Sequence, residues 1–76
     1  MPTQKGGTVT NKKELRAAMI RKGFTTTTLA ERIGISRQSL SKKMNNHREF
    51  RISEAEQIAQ ILGLTLKEKT NIFFKA

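Results

Sequence analysis

Two short apolar repeats divided by a single glycine constrain this chain more than any other feature. In residues 26–45, TTTLAERIGISRQSLSKKMN, Leu29, Ala30 and Ile33 share one helical face and Gly34 breaks the run. Ser36 then opens a second repeat marked by Leu40 and Met44. Spacings of three and four residues stack side chains on one face of a helix, whereas a half-buried strand alternates every second residue. A serine before the run can accept from first-turn N–H groups, and glycine takes the positive φ at which helices commonly end. The pattern predicts helices over about 26–33 and 37–45, joined by a tight turn.

The rest of the chain follows the same grammar. Asn11 with Glu14 reads as a capping box opening a helix over about 12–22, which Gly23 stops. Thr25 is placed to cap the second helix, although four consecutive threonines are poor helix material and tertiary packing must hold that turn. Ser53 with Glu56 reads as the box of a fourth helix carrying Ala55, Ile58, Ala59, Ile61 and Leu62, ended by Gly63. Thr65 with Glu68 opens a fifth through about Phe73; a strand at TNIFF is the alternative, because Ile72, Phe73 and Phe74 are good strand formers.

The expected class is all-α, a compact five-helix domain over residues 11–76. Its core would be Leu15, Met19, Leu29, Ala30, Ile33, Leu40, Met44, Ile58, Leu62 and Leu66. Residues 1–10 hold Pro2, Gly6 and Gly7 with no helical period and read as a flexible basic arm.

With 76 residues there is room for one small core. The absence of cysteine removes disulfides and thiolate metal sites, and His47, the one histidine, cannot hold a metal alone. No apolar run approaches the roughly 20 residues needed to span a membrane, and MPTQKGGTVT lacks the apolar stretch of a secretory signal, so a cytoplasmic location is expected. The six glutamates are scattered and several serve caps; no nucleophile has a base at motif spacing and no glycine-rich phosphate loop is present. Neither an enzyme nor a cofactor or small-molecule ligand is expected.

Charge points to a partner. The formal net charge is +9, and between Arg37 and Arg51 five basic residues (Arg37, Lys42, Lys43, Arg48, Arg51) stand against Glu49 alone. That cluster coincides with the third helix, whose uncovered side carries Arg37, Gln38, Ser41 and Lys42. Arginine pairs bidentately with guanine O6 and N7, and glutamine with adenine N6 and N7, in a groove wide enough to admit a helix. These four are the candidate base readers of double-stranded DNA. Thr25, Thr26 and Thr27 offer hydroxyls and N–H groups at a helix N-terminus, a ready phosphate site, and Asn45, Arg48 and Arg51 leave the far end of the third helix as candidate phosphate contacts. Asn46 suits a left-handed helix end, and His47 an exposed loop.

The stretches LRAAMIRKGF, TTTLAERIGISRQSLSKKMNN and ISEAEQIAQILGL, between Lys13 and Phe74, resemble the lambda-type phage repressors and Cro proteins, the Cro/C1-type helix-turn-helix family. The resemblance implies a five-helix domain that represses transcription by binding a palindromic operator as a dimer. It places Arg37, Gln38, Ser41 and Lys42 at base-reading positions, Thr26 at a phosphate or outer-base position and Asn45 at a backbone contact. An antitoxin-type autorepressor, or a domain of this fold used mainly to bind protein, fits the same resemblance. The family usually has an apolar residue where Lys43 stands, with Met44 available to take over its packing. Where some members join the first and third helices by an Arg–Glu pair, the matching positions are Met19 and Met44.

Ile72, Phe73 and Phe74 end the chain with three large apolar side chains. Either all three fold back over the fourth helix, or they form a two-fold patch of a weak dimer that DNA strengthens.

Overall fold

The computed structural model describes residues 8–75. In chain order the elements are β1 (Thr8–Thr10), α1 (Lys12–Arg21), α2 (Thr26–Ile33), α3 (Arg37–Met44), α4 (Ile52–Leu62), α5 (Leu66–Ile72) and β2 (Phe73–Lys75). The five expected helices are present, joined by one two-stranded antiparallel sheet with Thr8, Val9 and Thr10 opposite Lys75, Phe74 and Phe73. No helix among the described residues is long and apolar enough to cross a membrane.

Local chemistry sets most helix ends. At α2, the Thr28 N–H donates to Thr25 Oγ1 (3.1 Å) while the Thr25 N–H donates to Thr28 Oγ1 (2.8 Å), so two of the four threonines form a reciprocal box. That box offsets part of their poor helix propensity. Ser36 Oγ accepts from the Ser39 N–H at 3.0 Å, and Gly34 ends α2 in the left-handed region at φ 82°. Thr65 and Glu68 form the box of α5 as read from sequence.

Two caps differ from expectation. Asn11 Oδ1 accepts from the Glu14 N–H (3.3 Å), but the reciprocal half is absent because the Asn11 N–H is taken by the Ile72 carbonyl (2.8 Å). Helix α4 begins one residue before Ser53, which is exposed and caps nothing; Arg51 is the N-cap residue and Glu54 reaches back to its N–H at 2.9 Å.

Thr8–Thr10, read as the end of a flexible arm, form β1; residues 1–7 of that arm lie outside the described residues. Besides its pairing with β2, β1 is held by Asn46. Its Oδ1 accepts from the Thr10 N–H and its Nδ2 donates to the Thr10 carbonyl, both at 2.9 Å, so one amide serves both backbone polar groups of that residue. Asn46 has φ 63°, the left-handed helix end read from sequence. The strand conceivable near the C-terminus is realised at Phe73–Lys75, after α5 ends at Ile72.

The core joins Leu15, Ala18 and Met19 of α1, Leu29 and Ala30 of α2, Leu40 and Met44 of α3, and Ala55, Ile58 and Leu62 of α4. Phe50, Ile72 and Phe73 complete it. Ile33 is half-buried against this cluster. Leu66 is not core: it is 78% exposed, because as first residue of α5 it stands beside the cap while the helix turns Ile72 inward. The dimer patch, one of two expectations for Ile72, Phe73 and Phe74, is corrected for two of the three residues. Ile72 and Phe73 are buried within the domain, Phe73 edge-on to Phe50 with ring centroids 5.3 Å apart, and only Phe74 remains outward. Side chains alternate across a strand, so adjacent Phe73 and Phe74 cannot face the same way.

Candidate nucleic-acid interface

The geometry of α2 and α3 follows from the turn between them. The N–H groups of Gly34 and Ile35 both donate to the Ala30 carbonyl (2.9 and 3.0 Å), closing α2 and redirecting the chain into α3. Ala30 is fully buried, as a close approach of the two helices requires, and Ile35 packs half-buried against the core.

Helix α3 then has two sides. Leu40, Lys43 and Met44 face inward, and Arg37, Gln38, Ser41 and Lys42 stay exposed. These four, with Thr26 from the first turn of α2, line one open cleft of about 480 Å³. An exposed polar cleft built from an arginine, a glutamine, a serine and a lysine on adjacent helical turns presents donors and acceptors in one direction. That is what base-edge reading requires.

The candidate phosphate contacts are dispersed. Thr25 and Thr26 line a second cleft of about 280 Å³ with Arg16, Met19, Ile20 and Phe24, and this cleft shares Thr26 with the first. The Thr25 N–H is taken by its box, which leaves the first-turn N–H groups of Thr26 and Thr27 outside it. Asn45, Arg48 and Arg51 are exposed beyond α3 and do not line the cleft. The Asn45 amide is already engaged: Nδ2 donates to the Ser41 carbonyl (2.9 Å) and Oδ1 accepts from Lys12 Nζ (2.6 Å).

Some contributors had no sequence signal. Arg16 joins the second cleft, and Arg32 stacks on Phe24 with its guanidinium carbon 5.5 Å from the ring centroid. Lys43, where the resemblance implies an apolar residue, is buried (8% exposed) beside Met44 instead of being displaced by it. Its Nζ bonds Glu54 Oε1 at 2.6 Å. Burial alone would raise the Glu54 carboxyl; the hydrogen-bonded Lys43 ammonium and the Arg51 N–H hold it below the ordinary glutamate range. Met19 and Met44 are both buried in the core, where the resemblance put an apolar contact in place of an ion pair.

Ion pairing also shapes the charge. Arg21–Glu68, Lys43–Glu54 and Lys69–Glu56 pair three of the six glutamates with cations that do not line the cleft. Arg37 and Lys42 have no ion-pair partner among the described residues, so their charge remains available to a polyanion.

A glycine-turned helix pair with an exposed, donor-rich second helix defines a helix-turn-helix DNA-binding domain. The family model of the Cro/C1-type HTH DNA-binding domain matches residues 14–68, and the chain belongs to that family. A comparison with curated proteins gives no match. Binding to double-stranded DNA is thus a property of the family to which this fold belongs.

Proposed function

We propose that this protein is a sequence-specific transcriptional repressor of the phage repressor and Cro kind, acting in the cytoplasm without a cofactor or small-molecule ligand. It reads a palindromic operator through α3. The observation that carries this reading is the convergence of Arg37, Gln38, Ser41, Lys42 and Thr26 on one cleft. Arg37 and Gln38, in the first turn of α3, meet base edges; Ser41 and Lys42 follow one turn later. Thr25, Thr26 and Thr27 on one side, and Asn45, Arg48 and Arg51 on the other, hold the phosphates that fix the register.

The protein acts as a weak dimer. Burial of Ile72 and Phe73 reduces the proposed interface to Phe74, 44% exposed on β2. So small a patch makes a feeble free dimer, and a two-fold DNA site about one helical turn long strengthens it by linkage.

Selection from a randomised DNA pool supplies the preferred site, and titration of that site against random DNA tests the reading. Arg37→Ala and Gln38→Ala each lose about 1–3 kcal/mol on the preferred site and little on random DNA. Equal losses on both DNAs would mean that α3 acts only as a charged surface. Comparing full and half sites, with and without Phe74→Ala, addresses the dimer; independent binding of monomers to the full site, unaltered by the substitution, removes it.

A further inference from the structure

Helix α3 is only eight residues long, and its apolar anchors are Leu40 and Met44. Apolar contact is non-directional, and methionine, with three rotatable bonds, adapts to many placements. Two such anchors hold the helix down but define its rotation about its own axis poorly, and the polar ties of Asn45 to Lys12 and Asn46 to Thr10 are made by residues that follow the helix. The third inward residue is Lys43, whose ammonium is fixed on Glu54 Oε1 at 2.6 Å. That same oxygen accepts from the Arg51 N–H at 2.9 Å, so one carboxylate oxygen joins the last turn of α3 to the first turn of α4.

Charge-assisted hydrogen bonds are short and directional, and a buried ion pair gains little over apolar residues of similar size because its desolvation offsets its attraction. Such a pair can specify geometry where it adds little stability. Geometry matters on the opposite side of this helix. A roll of roughly 10° shifts a side-chain tip roughly 6 Å from the axis by about 1 Å, enough to spoil a two-bond contact to a base edge.

We propose that the Lys43–Glu54 pair sets the roll of α3, and that the buried Lys43 and the half-buried Glu54 are thereby positioning residues for sequence discrimination by Arg37, Gln38, Ser41 and Lys42. The role rests on the DNA-reading function proposed above. Neither residue touches DNA; both act through the helix that does.

The test compares Kd on the selected site with Kd on random DNA for folded protein, alongside a thermal melt of each variant. Lys43→Met/Glu54→Gln keeps the net charge and an acceptor for the Arg51 N–H, and removes the ion pair. It melts at or above the wild-type temperature, keeps random-DNA affinity within about twofold, and loses discrimination at least tenfold. Lys43→Arg keeps the pair and stays within about threefold of wild-type discrimination. Full discrimination in the double variant overturns the positioning role alone, and so does a loss in Lys43→Arg as large as in the double variant. Failure of the double variant to fold also overturns it, because the pair would then be holding the domain together. A wild-type protein that does not discriminate overturns the reading of bases, and the positioning role with it.

Discussion

Phe50→Ala is expected to cost about 3–5 kcal/mol of folding stability. Phe50 is 1% exposed, sits in the segment between α3 and α4, and meets Phe73 edge-on at an interplanar angle of 80°. Edge-to-face rings add to the energy of burial, and a truncated ring leaves a cavity that a close-packed core closes only in part. A chain of 76 residues has about 4–11 kcal/mol in total at typical per-residue stabilities, so the variant is marginal at room temperature. Urea denaturation followed by circular dichroism measures the loss. Phe74→Ala is the control: its ring is outward on β2, next to Phe73, and the free monomer should lose less than about 1 kcal/mol. Equal losses for the two phenylalanines would show that the ring of Phe50 is not an anchor of the core.

Phe50 is also where sequence reading fell short, and the reason is physical. Helices announce themselves within a few residues. The spacing of Leu29, Ala30 and Ile33, the glycine at 34 and the cap at Ser36 are local, and the structure places each in the expected role. The exposed side of α3 is equally local, since i, i+1, i+4 and i+5 share a face; Arg37, Gln38, Ser41 and Lys42 were therefore legible as one group. Phe50 lies in a loop with no period, and its partner Phe73 is far along the chain. Thr10 finds Asn46 across 36 positions and Lys43 finds Glu54 across 11, pairings for which no helical or strand period exists. Leu66 shows the converse error, because an apolar residue beside a good cap satisfies the pattern while the helix points it outward. Ile72 and Phe73 were ambiguous because strand and helix put them on different sides, and the pairing of β2 with β1 was decided by residues at the opposite end of the chain.

Raising monovalent salt from roughly 50 to roughly 200 mM is expected to weaken binding to the preferred site by about a thousandfold. The expectation follows from the distribution of charge. Lys42, Arg48 and Arg51 carry exposed cations and none has an ion-pair partner among the described residues. If Arg48 and Arg51 each neutralise a phosphate and the Lys42 ammonium, entering the groove beside them, displaces a third counterion, a dimer releases the counterions of about six phosphates and the slope of log K against log salt is near −5. Arg48→Ala removes about two of those contacts per dimer and flattens the slope by about 2, with affinity lost equally on preferred and random DNA. Gln38→Ala carries no charge change and leaves the slope untouched while it erodes discrimination. Filter binding or fluorescence anisotropy over a salt series separates the two effects. A slope near zero would count against the phosphate contacts as a group. A steep slope that Arg48→Ala does not change would place the charge elsewhere, with Arg16 beside Thr25 and Thr26 in the second cleft as the next cation to remove.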